Sequence, residues 1–248
     1  MKPVYEDNHI IIVNKAAGEI VQADKTGDRC LIDDVRDYLR GKYSKPGNVF
    51  VVPVHRLDRP TTGLVIFAKT DKGLSRFSEC FRKNSISKTY LAITDGLLDS
   101  EEGELSDYLV KDEEQNRSYV VGPNHPDAKL ARLGYKHLAD SDRYHLYRVD
   151  LMTGRHHQIR SQFAERGVHI KGDVKYGARR ANDDKSISLH AFSLQFKHPI
   201  GGRDICVRDW PDSSPEDRIW SFFKSALSGD SKYESTPIEL REVPGTAS

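Results

Sequence analysis

Four ionisable side chains fall within five residues of this sequence: His55, Arg56, Asp58 and Arg59, in the stretch Val54-His55-Arg56-Leu57-Asp58-Arg59-Pro60-Thr61-Thr62-Gly63. A single carboxylate among cations ionises readily, because nearby positive charge favours its charged form. A carboxylate kept charged suits nucleophilic attack better than proton donation. The same spacing also fits a structural ion pair that closes a turn, since such networks perturb carboxylates too. The supports of the stretch are legible. Val49-Phe50-Val51-Val52-Pro53-Val54 and Leu64-Val65-Ile66-Phe67-Ala68 are short, β-branched and aromatic, and read as two buried strands. Pro60 biases Arg59 toward extended backbone, and Gly63 permits the turn into the second strand.

Two further stretches carry chemistry. Residues 87–96 alternate as a strand, with Tyr90 and Ala92 on one side and Leu91 and Ile93 on the other. The run Thr153-Gly154-Arg155-His156-His157-Gln158-Ile159-Arg160 opens a helix, with Thr153 as the expected cap and Ile159, Phe163 and Ala164 on its apolar side. His156, His157, His169 and His190 raise the question of a metallohydrolase. Adjacent histidines on a helix point about 100° apart, and these four include no His-x-x-x-His pair, so no metal site is expected of them. An aspartyl phosphoryl-transfer enzyme would need acidic metal partners near Asp58, which the stretch lacks. A non-catalytic RNA-binding module or RNA chaperone is the other reading.

The remaining elements follow in order. Val4-Tyr5 and residues 9–13 read as a strand pair around Glu6-Asp7-Asn8. Ile32, Val35 and Leu39 predict a short amphipathic helix over 30–39. A second helix begins at Asp71, the expected cap, with Leu74, Phe77, Cys80 and Phe81 inward and Lys72, Arg76, Arg82 and Lys83 outward. From 97 to 139 the chain is polar and poorly periodic. It predicts edge strands and loops, such as 118–121 and 131–135. A strand over 144–151, another over 188–194 and a hairpin strand at Ile205-Cys206-Val207 complete the series. The expected organisation is one domain over 1–226, followed by a flexible tail over 227–248 rich in Ser, Gly, Glu and Pro.

His-Arg-Leu-Asp-Arg-Pro-Thr-Thr-Gly at 55–63 resembles the signature of the RluA-type pseudouridine synthases. Other stretches resemble that family in the right order: Asn14-Lys15-Ala16-Ala17-Gly18, with alanine where proline is usual; Lys88-x-Tyr90-x-Ala92; Gly154-Arg155-x-His157-Gln158-Ile159-Arg160; Gly172-Asp173-Val174-Lys175-Tyr176-Gly177; and Leu189-His190-Ala191. Ser161-Gln162 departs from the hydrophobic residue and histidine of many relatives. The resemblance covers about residues 4–210. It implies an α+β fold around a largely antiparallel mixed β-sheet with flanking helices. It implies isomerisation of uridine to pseudouridine in structured RNA, tRNA or rRNA, without a nucleotide cofactor. Asp58 would be the catalytic carboxylate, attacking the sugar or abstracting a proton from it. Arg160 would pair with Asp58, and Tyr90 would lie against the base. Since little chain precedes residue 4, no N-terminal S4 RNA-binding domain is expected, and RNA recognition falls to the catalytic domain.

Bulk properties agree with a soluble globular protein. Charged residues make up 30% of the chain and hydrophobic ones 37%, enough for a core. No apolar run reaches membrane-span length. Three well-separated cysteines, Cys30, Cys80 and Cys206, fit a reducing cytoplasm and give no disulfide framework. The net charge of +1 hides a division. Eight Lys/Arg face three acids over 55–90, eight face four over 154–185, and nine acids face Lys111 over 95–114. If the basic tracts meet, they form a phosphate-binding face. The residues expected to meet RNA are His55, Arg56, Arg59, Lys72, Arg76, Arg155, His157, Lys175 and Arg179. Arg56 is the candidate to fill the stack vacated by a flipped base, and His55 can instead pack and hydrogen-bond within its loop. A monomer with RNA as its partner is expected.

Overall fold

The computed structural model describes residues 3–23, 27–44, 47–211 and 218–234. One mixed sheet carries the fold. Its main path runs β1 (Pro3–Glu6), β2 (Ile10–Lys15), β4 (Thr62–Ala68), β10 (Leu189–Lys197), β5 (Ser87–Thr94), β9 (His145–Leu151), β8 (Lys129–Asp140), β6 (Glu102–Asp112) and β7 (Arg117–Val121). Two short strands lie off this path: β3 (Val52–Pro53) pairs with β4, and β11 (Asp204–Arg208) with β10. Every pairing is antiparallel except β4–β10, where His190 and Ala191 register with Thr62 and Gly63.

Among the described residues four α-helices cover the sheet: α1 (Leu31–Tyr43), α2 (Asp71–Arg82), α3 (Gln158–Ala164) and α4 (Ile219–Ala226). The strand alternation decides which helix each residue meets. Ile11, Val13, Val65 and Phe67 pack with Val35 and Leu39 of α1, while Ile10, Ile12, Leu64 and Ile66 pack with Phe77 of α2. That is why these strands read as unbroken apolar runs. In the other half, Ala92, Tyr147 and Val149 pack with Ile159 and Phe163 of α3, and Leu91, Ile93 and Leu146 with Trp220 and Phe223 of α4.

Several expectations need correction. Of the run 49–54 only Val52–Pro53 is a strand. One edge of β4 is shared between β10 at its start and β3 at its end, which leaves the latter few partners. Val49 and Val51 are buried all the same, in the α1 cluster. Thr70, not Asp71, caps α2; its hydroxyl accepts from the Gly73 N–H at 3.0 Å. The α3 helix starts later than Thr153 implied, at Gln158 behind the cap residue His157, and the Thr153 hydroxyl donates instead to Gln158 Oε1 at 2.7 Å. The largest departure is at 97–139. Strands β6 and β8 are 11 and 12 residues long, and β8 lies inside the sheet between β6 and β9. Of the expected tail, Leu227 and Tyr233 pack at the α4 cluster, Tyr233 facing Phe192 at a ring separation of 6.3 Å. Residues 235–248 lie outside the described residues.

Candidate active site

The loop from β3 to β4 carries Asp58, and buried polar contacts fix its shape. Lys15, at the end of β2, is fully buried. Its ammonium donates to the carbonyls of Ala16, Arg59 and Thr61 at 2.9, 3.0 and 2.8 Å. Burial brings its pKa down to about 8. On the other side of the loop, His55 Nε2 accepts from the Ile66 N–H at 3.1 Å, and its ring stacks on Phe81 at 4.7 Å. Burial pushes that imidazole down to about 3, so it is neutral, as an acceptor must be. The Thr61 N–H closes the turn on the Asp58 carbonyl at 3.0 Å. Gly63 is essential for a different reason. A Cβ there would lie 2.5 Å from the Ala191 backbone, and its φ is +116°. Only glycine lets β4 and β10 close behind the loop.

Arg160 reaches Asp58 from α3. Its Nη1 donates to Asp58 Oδ2 at 3.0 Å. The same guanidinium makes a forked pair with Asp173, Nε to Oδ2 at 2.7 Å and Nη2 to Oδ1 at 2.8 Å. Its central carbon lies 4.8 Å from the centre of the Tyr176 ring. Burial works against the charge of Arg160, but Asp173 and then Asp58 outweigh it and hold its pKa above the ordinary value. The side chain of Asp173 is 1% exposed and that of Asp58 is 27% exposed. Asp173 is therefore the inner, structural partner, and Asp58 is the one that solvent or a ligand can reach.

His157 completes the cluster. It stands at the start of α3 with φ +51°, an uncommon left-handed conformation for a residue other than glycine. Its Nε2 lies 3.4 Å from Asp58 Oδ2, and its Nδ1 lies 2.9 Å from the Tyr176 hydroxyl. Burial, then the charge of Arg160, drives its pKa to about 2. The neutral ring hydrogen-bonds the Tyr176 hydroxyl through Nδ1, and that hydroxyl oxygen accepts from the Ser118 N–H at 2.8 Å. The Arg160 hydrogen bond falls on Asp58 Oδ2, and His157 Nε2 approaches the same oxygen.

Asp58, Arg160 and Tyr90 line one open cleft of about 880 Å³. Burial, then the charge of Asp58, raises the Tyr90 pKa above its ordinary value, so its phenol keeps its proton. The cleft also meets His55, Arg56, Arg59, Arg155, His157 and Lys175. Several of these are already engaged. Arg59 pairs with Asp28 at 3.1 Å, Arg155 donates to the Leu130 carbonyl at 2.9 Å, and Lys175 donates to the carbonyls of Gln115 and Asn116. His55 holds the loop by its ring. Lys72, Arg76 and Arg179 are not among the residues that line the cleft. Phe81, near the C-terminal end of α2, does line it, and Lys72 lies nine residues earlier, about 13 Å along the axis.

Sequence reasoning missed Lys15, Phe81, Lys88, His156, Asp173 and Tyr176 as members of this site. Lys15, Asp173 and Tyr176 stood inside recognised motifs, in Asn14-Lys15 and Gly172-Asp173-x-x-Tyr176-Gly177, and those motifs were the available signal. Lys88, over the Phe81 ring at 5.9 Å, also stood inside a recognised motif, Lys88-x-Tyr90-x-Ala92, whereas His156, bonded to the Ser118 hydroxyl at 2.8 Å, had no signal beyond its neighbours.

Known proteins are similar to this chain in sequence and in fold. The profile of the RNA pseudouridylate synthase family matches residues 9–165. The tRNA pseudouridine synthase C of Vibrio vulnificus is 32% identical over 238 residues, which cover 88% of this chain and 91% of that protein. The ribosomal large subunit pseudouridine synthase D of Zymomonas mobilis is 31% identical over 224 residues, covering 86% of this chain and 69% of that one. In structure, human RNA pseudouridylate synthase domain containing 4 superposes with a TM-score of 0.71 at 20% identity, over 91% of this chain and 92% of that one, a likeness of fold.

Proposed function

This chain belongs to the RNA pseudouridylate synthase family, and we propose that Asp58 is the carboxylate with which it isomerises uridine to pseudouridine in RNA. In that reaction the N1–C1′ bond breaks and a C5–C1′ bond forms. The proton on C5 is lost, and N1 gains one, so the atoms balance without a redox partner. Whether the carboxylate attacks C1′ or removes a ribose proton, it must be ionised and aimed at the sugar. The observation that carries the reading is the hold on Asp58: Arg160 at 3.0 Å and His157 at 3.4 Å, both on one oxygen. The other oxygen is left for the substrate.

The roles of the neighbours follow from their chemistry. Arg160 donates to the carboxylate, and its planar fork, fixed by Asp173, sets the direction of the contact. Tyr90 offers an aromatic face to an extruded base and a neutral hydroxyl beside the carboxylate. Arg56 is exposed on the loop and fits the stack that the base leaves, since flipping costs a few kcal/mol. Arg59, Arg155 and Lys175 line the cleft as phosphate contacts. The RNA is transfer or ribosomal, the classes in the names of the relatives, and tRNA comes first in the assay. Asp58→Asn should abolish tritium release from 5-tritiated uridine in a tRNA transcript while RNA binding and the melting temperature persist. Turnover near the parent rate would remove Asp58 from the reaction.

A further inference from the structure

A second constellation lies at the far end of the β8–β9 hairpin, and the reaction does not use it. Asp140 Oδ1 sits 2.8 Å from His137 Nε2 and 2.6 Å from His145 Nδ1. Among the described residues these three offer ligand atoms that all lie within 4.8 Å of one another. Strand β9 runs from His145 to Leu151, and Leu151 lines the cleft. The cluster is therefore about 20 Å from that end of the strand.

The backbone is built to make this grouping. Residues 137 and 140 are three apart and in a regular strand would face opposite sides. Here β8 has one extra residue: His137 registers with Tyr147, but Ala139 with Leu146 and Asp140 with His145. The bulge turns Leu138 and Ala139 together toward the α4 cluster. It brings His137 onto the face of Asp140 and His145, the kind of re-aiming that bulges accomplish. The imidazoles are mostly buried, 17% and 20% exposed, whereas the carboxylate is 58% exposed. The donors are thus two held rings and one movable carboxylate, with open solvent beyond.

From this geometry we infer that His137, His145 and Asp140 form a binding site for a divalent transition ion of the zinc type. Two imidazoles and a carboxylate are a zinc donor set, with water in the remaining position. Zinc–nitrogen bonds of about 2.0–2.1 Å put tetrahedral donors about 3.3 Å apart. The present separations need to open only by about half an ångström or slightly more, which Asp140, at the surface, can supply. Mg²⁺ and Ca²⁺ would not compete, because they prefer all-oxygen shells. The ion would clamp β8 to β9 away from the RNA cleft.

Zinc chloride titrated by calorimetry into the chelator-treated full chain tests this. One ion should bind and raise the melting temperature, and magnesium should do neither. His137→Gln, His145→Gln and Asp140→Asn should each weaken binding at least tenfold. Asp140→Asn is the safest for folding, because that side chain is the most exposed. Cobalt should show visible d–d absorption that the same variants lose. No binding at 100-fold excess of zinc would overturn the site. So would equal binding by the parent and all three variants, since the ion would then sit on the cysteines or in the cleft.

Discussion

Basic side chains occupy two regions of this molecule with opposite consequences. At the cleft floor, Lys15 and Arg160 are buried, and each holds several partners. On α2, Arg76 is 58% exposed and meets Glu79 at 3.9 Å. Such an exposed pair is worth about 0–1 kcal/mol. A buried pair costs much to form and much to break. Residue type is the same in both places; solvent access decides whether the charge shapes the fold or merely decorates it.

Breaking the buried pair is the harshest trial of this contrast. Arg160→Met leaves Asp173 buried without its fork, so stability should fall by about 3–5 kcal/mol. Adding Asp173→Asn should restore part of that loss. Adding Asp58→Asn should restore less, because Asp58 is the more exposed partner. Thermal melts without RNA of the parent, the three single variants and the two double variants, six proteins in all, measure both couplings. Additive losses in both cycles would mean that Arg160 is not held as described. All of these variants should be inactive.

A milder trial uses pH. Burial keeps His55, His157 and His190 neutral, at about 3, 2 and 4. Unfolded histidine titrates near 6.5. Between about pH 6.5 and 4.5 the unfolded chain therefore takes up protons that the folded one refuses. Stability is full above that window and is lost as pH falls, by up to about 1.4 kcal/mol per unit for each histidine. His157→Gln should flatten the slope of stability against pH in this range. An unchanged slope would show that His157 is not held neutral.

The smallest effect belongs to the helix. Lys72→Ala with Arg76→Ala should change stability by less than about 0.5 kcal/mol. If α2 lies beside the bound RNA, the salt dependence of affinity becomes shallower by up to about one for each phosphate no longer neutralised. A loss of stability comparable to that of Arg160→Met would erase the contrast.

Much of the cleft half was legible in the sequence, for a physical reason. β2 and β4 are buried on both faces, and α1 and α2 on one stripe, so their patterns were strong. The meeting of Asp58 with Arg160 was readable from motifs. The partner Asp173 was not named, because sequence shows which residues recur and not which carboxylate a fork will grasp. The wing of β6, β7 and β8 was opaque. Its strands expose one face and carry Glu102, Glu104, Asp107 and Lys111 among Leu105 and Leu109. The bulge at Leu138 breaks what alternation remains, and it is also what gathers His137 with Asp140.

The insertion of β10 sets the order in which this enzyme can be made. It enters between β4 and β5, which precede it by about a hundred residues, and pairs with both. A ribosome delivers the chain from its N-terminus, so β5 and the start of β4 must wait as open edges until residue 189 has emerged. Asp58 belongs to the part made early, and Arg160 and Asp173 to the part made late. The nascent chain thus holds the Asp58 carboxylate without the Arg160 guanidinium that contacts it in the finished fold. Pairing across such long sequence separations is slow. The waiting edges are the places where a chaperone, or another unfinished copy, would bind first.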